Sequence, residues 1–256
     1  MTTVQDILDF LQTVAPRELK MDWDNVGLLC GRKDKQVKTV FVALDPFEQV
    51  CKEAAKIGAD LLLTHHPLIF EPLPTITDET TVGRAVLTLI RNDIAAVNAH
   101  TNLDCAEGGV NDVLAGKLGL TDIGKITGDR DGLLRQGMVS EQSLKAFMEQ
   151  VKQILGCAGL RYADGGKPVC RVAVGGGSCG SAMYDVLAAG CDTFVTADVK
   201  YNQFCDASEL GLNLIDAGHF PTENPVIPHV AAKLQAAFPE IRVIVSEKHT
   251  DSIKFF

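Results

Sequence analysis

The chain has six histidines, and four of them, His65, His66, His100 and His219, stand where three apolar runs end. Carboxylates accompany them. Asp104 follows His100 by four positions, and Glu223 follows His219 at the same spacing. Imidazole nitrogen and carboxylate oxygen are the donors that borderline divalent cations accept, zinc, iron, manganese and nickel among them. An adjacent His-His pair also suits a hydrogen-bonded loop, so the weight rests on the combination at three strand ends. Neighbouring residues of a strand face opposite sides. At a strand end followed by Pro67, however, both imidazoles can turn into one cavity, one to each side, which suits two ions better than one. Five ligands from this set, shared between two ions about 3.5 to 4 Å apart, leave positions open, as reactive sites do and closed structural sites do not. Pro221 between His219 and Glu223 and Pro225 after them suggest a loop entering a first helical turn near Asn224, so a helical i, i+4 pair is allowed but not required.

Convergence of these residues requires that the strand ends meet, and open parallel sheets bind ligands at the carboxyl ends of their strands. The pattern supplies such strands. Val4, Ile7, Leu8, Leu11 and Val14 recur at helical spacing behind a Thr3 cap, and a β-branched strand at 38–44 runs into Asp45-Pro46. A helix then leads through Gly58 to an apolar strand at 60–64, and a helix near 80–92 feeds another strand at 94–98, which makes βαβ units and a mainly parallel sheet. The second half repeats the order: a strand at 133–139, a helix at 140–155, and strands at 169–174, 192–196 and 212–216. KIGADLLLTHH (56–66) aligns with AAGCDTFVTAD (188–198), and NAH (98–100) echoes DAGH (216–219). Self-similarity of this kind points to a duplicated unit. The expected division is 1–126, carrying His65, His66 and Asp104, and 127–256, carrying His219 and Glu223, with elements exchanged between the two.

Composition narrows the classes. A chain of 256 residues with 46% apolar and 22% charged residues is folded rather than disordered. Apolar runs such as 61–63 and 67–70 fall far short of the ~18 residues of a membrane span, so no membrane is expected. A net charge of −9 without a basic patch argues against nucleic acid as partner. MTTVQDILDFLQTV carries neither a basic leader nor a continuous apolar stretch, which places the protein in the cytoplasm as an expectation. Eight cysteines without a C-x-x-C pair read as reduced and structural, Cys105 beside Asp104 included.

One segment offers a different chemistry. Gly175, Gly177 and Gly180 match G-x-G-x-x-G between a strand and a helix, with Asp198 ending the next strand. Such a turn either approaches a nucleotide phosphate or is a tight strand-to-helix connection needing no ligand, and no Walker A lysine follows. Trp23 sits among Asp22, Asp24 and Asn25 as the anchor of an Asx-capped turn or as a cavity wall. Asn98, Thr101 and Asn102 are placed to orient ligands around Asp104, and Gly108-Gly109 lets the next helix start close by. Lys200 and Tyr201 face either substrate or solvent. His229 and His249 read as ordinary surface or helix residues.

In order and spacing, WDNVGL (23–28), THHP (64–67), AHTNLD (99–104), GGVND (108–112) and DAGHFPTE (216–223) resemble the GTP cyclohydrolase I type 2 homologues, also called dinuclear metal-centre hexameric proteins. The likeness runs end to end. It implies two intertwined, topologically similar α/β domains with mixed, mostly parallel sheets flanked by helices. It also implies a toroidal homohexamer with metal sites facing an internal cavity. The family's ligands correspond to His65, His66, Asp104, His219 and Glu223, with His100 beside them as the catalytic proton-transfer group. Departures are Ala197 where relatives often have Gly, Asn202 where they often have His, and Asp251-Ser252 in place of Asp-Pro; none removes a ligand. The expected function is a metal-dependent hydrolase using two divalent ions per subunit (Zn, Fe, Mn or Ni) on a nucleotide or another small-molecule substrate. Two alternatives stand beside it: a non-catalytic metal-binding regulatory protein, and a nucleotide-binding protein using the 175–180 turn.

Overall fold

The structure, a computed structural model, describes residues 1–129 and 132–256. In chain order the first elements are α1 (Val4–Val14), β1 (Gly27–Cys30), β2 (Thr39–Ala43), α2 (Glu48–Lys56), β3 (Leu61–Thr64), α3 (Thr81–Arg91), β4 (Ala95–Asn98) and α4 (Thr101–Cys105). Then come α5 (Val110–Lys117), β5 (Thr121–Lys125), β6 (Arg135–Gln142), α6 (Leu144–Leu155), β7 (Arg161–Ala163), β8 (Val169–Val174) and α7 (Met183–Ala188). The chain closes with β9 (Thr193–Thr196), α8 (Tyr201–Leu210), β10 (Asn213–Asp216), α9 (His219–Glu223), α10 (Val226–Ala237) and β11 (Arg242–Val245). Local chemistry sets several boundaries. Thr3 and Asp6 form a reciprocal cap on α1, and Ser143 accepts from the Ala146 amide to start α6. The strand before α6 therefore runs to Gln142, past the expected end at 139.

Two compact α/β units result, Met1–Glu107 with Ile227–Thr250, and Gly108–Val226 with Asp251–Phe256. The first holds a five-stranded sheet in the order β1-β4-β3-β2-β11, parallel except for β1. The second holds a six-stranded sheet in the order β5-β6-β8-β9-β10-β7, with β8, β9 and β10 parallel and the outer strands antiparallel. The chain changes unit near residue 107 rather than 126. Residues 227–250 join the first unit because β11 pairs in parallel with β2, from Arg242 opposite Thr39 to Val245 opposite Val42.

Both sheets are covered on both faces. In the second unit Val172, Val174, Val195 and Ile215 pack into one apolar cluster, while their neighbours Ala173, Phe194 and Leu214 pack into another. Alternate residues leave opposite faces of a strand, so one sheet carries two cores. In the first unit Phe41, Leu62 and Ala96 enter one cluster, and Val40, Val42, Leu61 and Leu63 are buried on the other face. Each such Val, Leu or Phe side chain contributes roughly 1.5 to 3 kcal/mol by leaving water. The register then fixes the strand ends. Thr64 lies opposite Asn98 in the first sheet, and Asp216 lies opposite Thr196 in the second, so the residues following each pair emerge side by side. Among the described residues no helix is long and apolar enough to cross a membrane.

Candidate metal centre

In the first unit, His65 and His66 leave β3 while Ala99 and His100 leave the neighbouring β4. His65 is 1% exposed, and its Nδ1 lies 2.9 Å from the Ala99 carbonyl. The Nδ1 of His66 lies 2.6 Å from Asp45 Oδ1, and that of His100 lies 2.8 Å from Asp24 Oδ1. A carbonyl or a carboxylate only accepts, so each Nδ1 donates and each neutral imidazole carries its lone pair on Nε2. One nitrogen from each of the three rings lies within 4.8 Å of the other two, a group able to hold a metal ion. Asp104 on α4 is buried, with Oδ1 3.5 Å from His65 Nε2.

The second unit repeats the device. After β10, Gly218 at φ +86° turns the chain into α9, whose single turn carries both His219 and Glu223. Pro221 fits the first turn, where no amide partner is needed, and the i, i+4 spacing brings His219 Nε2 within 3.0 Å of Glu223 Oε2. The Nδ1 of His219 lies 2.7 Å from Asp198 Oδ2, so this imidazole too presents Nε2. Asp198 leaves β9 at φ +51°, a left-handed backbone that Asp tolerates better than most residues.

Gly175 to Gly180 connects β8 to a short 3-10 turn ahead of α7. Four of its amides are already committed. Gly175 donates to the Val195 carbonyl, Gly176 to Asn111 Oδ1, Gly177 to Thr222 Oγ1 and Cys179 to the Gly177 carbonyl. A phosphate cradle needs a row of open donors, and these four amides are not open to one. Its glycines serve another end. A Cβ on Gly177 would meet Glu223 Oε1 at 2.1 Å and His219 Nε2 at 3.1 Å, so the absent side chain is what lets both candidate ligands sit where they do.

Several contacts that hold the site were not legible in the sequence. Asp24 accepts from the amides of Asn25 and Thr101, from the Thr101 hydroxyl and from His100. Burial pushes its carboxyl up, yet the bonds from His100 and Thr101 outweigh this and hold it at about 2. Burial likewise raises Asp45, and hydrogen bonds from His249 and His66 overcome it, leaving the carboxyl below the usual range. His249 is accordingly no ordinary surface residue: its side chain is buried and its Nε2 lies 2.7 Å from Asp45 Oδ2. Asn102 bridges the His100 amide and the Ala15 carbonyl, and Asn98 donates to the Asn25 carbonyl. Trp23 is 63% exposed, edge-on to Phe70 and His100. No disulfide forms among the described residues, and burial pushes the Cys51 thiol up to about 12, which makes it inert.

Comparison with known proteins covers all of these groups. The profile of the DUF34/NIF3 family (NGG1p interacting factor 3) matches residues 2–252. The chain belongs to the DUF34/NIF3 family. A Clostridium perfringens protein named GTP cyclohydrolase 1 type 2 homolog is 36% identical over 259 residues, covering 98% of this chain and 99% of that protein. One of the same name from Methanocaldococcus jannaschii is 33% identical over 224 residues, covering 86% and 89%. Among solved structures, a hypothetical protein of Staphylococcus aureus superposes with a TM-score of 0.93 at 28% identity, covering 99% of each chain. A Bacillus cereus protein related to NIF3 gives 0.91 at 26%, covering 100% of this chain and 99% of that one. Two similar α/β domains are thus the NIF3 plan, shared here.

Within this DUF34/NIF3 chain the WDN and AHTN motifs are two sides of one contact, since Asp24 holds His100 and Thr101. Asp24→Asn is expected to cost about 2 to 3 kcal/mol, because an amide NH2 would face donors that now meet a buried carboxylate. Denaturant melts measure it. The carboxyl's depressed value stabilises the fold fully above about pH 4, and this share is lost as pH falls through about 2. The variant should lack that acid limb; an unchanged acid profile would show that Asp24 is not the group responsible.

Proposed function

We propose that this protein is a metal-dependent hydrolase in which His65, His66, Asp104, His219 and Glu223 are the ligands of two divalent ions. The observation that supports it most is the shared orientation of the imidazoles. His65, His66, His100 and His219 each have Nδ1 tied to a carbonyl or carboxylate, which fixes the tautomer that a cation requires. The nitrogen and oxygen donor set fits Zn, Fe, Mn or Ni, with availability deciding among them. Bound ions would supply Lewis acidity and lower the pKa of a nearby water.

The chain's own residues do the rest. His100 is the proton carrier: Nε2 takes a proton as water adds to the electrophilic carbon or phosphorus, and returns it to the departing atom. Asp24, hydrogen-bonded to Nδ1, keeps the ring oriented and stabilises the imidazolium formed in between. Relatives named GTP cyclohydrolase 1 type 2 homologs suggest a nucleotide-like substrate, opened at the ring. We further propose the cytoplasm as its location and a toroidal homohexamer as its assembly, which light scattering would report as about six chain masses.

The test is metal content on protein purified without chelator or metal-affinity resin, followed by product analysis after incubation with GTP. About two ions per chain and ring-opened product are expected. Protein that is metal-free and takes up no added Zn, Mn or Fe would overturn the reading. Loaded protein that leaves nucleotides intact would favour a metal-binding regulatory role instead.

A further inference from the structure

Trp23 and Phe70 are large aromatic side chains left 63% and 50% exposed, and both sit against His100. Their ring centroids are 5.8 Å apart at 63°, and each lies 6.3 Å from the His100 ring, at 73° and 83° respectively. An edge-to-face arrangement leaves π faces uncovered, and exposed indole surface gains nothing for the fold. The backbone beneath them is nonetheless pinned. The Met21 amide donates to Thr101 Oγ1, Asp24 makes the bonds described above, and Asn25 Nδ2 donates to the Ile69 carbonyl at 2.7 Å. Asn25 thus ties the segment bearing Trp23 to the segment bearing Phe70. Rings that are exposed but held in place have already lost the freedom that a ligand would otherwise have to remove.

We infer that Trp23 and Phe70 form a stacking wall for a planar heteroaromatic ring, nucleobase-like in size, held with its edge toward His100. The inference rests on the hydrolase reading for its substrate and deepens it, since it says which part of a nucleotide the protein grips. Stacking tolerates any base because every base has a π face, so the wall selects rings rather than phosphates. It places the ring, not the phosphate tail, beside the proton carrier, which is the arrangement ring opening needs.

The chain has a single tryptophan, so its fluorescence reports this wall directly. GTP and guanosine, which carry the ring, are titrated against inorganic tripolyphosphate, which does not, with calorimetry as a second readout on the protein as purified. GTP and guanosine should quench Trp23 and bind saturably, while tripolyphosphate leaves the emission unchanged. Phe70→Ala and Trp23→Leu should each weaken GTP binding roughly 10-fold, with Trp23→Phe close to wild type. Bound metal should be the same in all three variants. Equal responses to GTP and tripolyphosphate, no saturable binding of either purine compound, or wild-type GTP affinity in Trp23→Leu would overturn the wall. Emission already shielded from acrylamide without ligand would do so too, by showing that a second copy of the chain covers the ring. Chelator-treated protein separates the two ideas: purine quenching that survives metal removal keeps the wall even where the hydrolase reading fails.

Discussion

Gly177→Ala is expected to fold and yet lose roughly 10- to 100-fold in affinity for the ion assigned to His219 and Glu223. The added Cβ would stand 2.1 Å from Glu223 Oε1 and 3.0 Å from Cδ, a distance that only displacement of the carboxylate relieves. His219 Nε2 at 3.1 Å is pressed as well. Backbone strain is a separate cost, because Gly177 has φ +63° and a left-handed Ala loses about 1 to 2 kcal/mol. Gly190→Ala is the matching control. It has φ +76°, and the nearest atom to its would-be Cβ is a guanidinium nitrogen at 3.8 Å, so it carries the strain without touching a ligand. Metal titration of both variants decides the matter. Equal metal affinity in the two would show that Glu223 does not hold an ion.

Asp112→Ala should produce the largest loss of stability, about 3 to 5 kcal/mol, or roughly 10 °C in melting temperature. Arg135 is among the largest fully buried side chains, and its Nε lies 2.6 Å from Asp112 Oδ1. Its Nη1 also donates to the carbonyls of Gly132 and Leu134. The other Asp112 oxygen accepts from the Gly108 amide, so the same substitution loosens the start of α5. That helix matters to the site, because Asn111 next door holds the Gly176 amide. Adding Arg135→Met to Asp112→Ala should recover part of the loss by removing the buried charge altogether. Thermal melts of the single and double variants measure both effects, and a loss below about 1 kcal/mol in the single variant would show that the pair is not carrying the fold.

Much of this was written in local pattern. The apolar runs ending in His65-His66, Asn98 and Asp216 specify buried parallel strands, because a strand covered on both faces has no polar alternation to hide it. Parallel strands in turn fix where their ends gather, which is why the candidate ligands could be chosen by position alone. Short edge strands were harder. β1 is only four residues long and half-buried throughout, and β5 and β7 are exposed at most positions, so their pairing comes from neighbours rather than composition.

What only the tertiary structure decided is long-range. His100 finds Asp24 across 76 positions, and His249 finds Asp45 across 204. A carboxylate that orients an imidazole leaves no periodic trace, since a single hydrogen bond constrains one residue type at one point and not a repeating face. The 175–180 glycines show the same limit from the other side. Their sequence admits either a phosphate cradle or a tight turn, and only the position of Glu223 reveals that Gly177 makes room for a carboxylate. Strand register and burial act through many small apolar contacts and are therefore legible in sequence; the pairing of one polar atom with another depends on where the whole chain brings them.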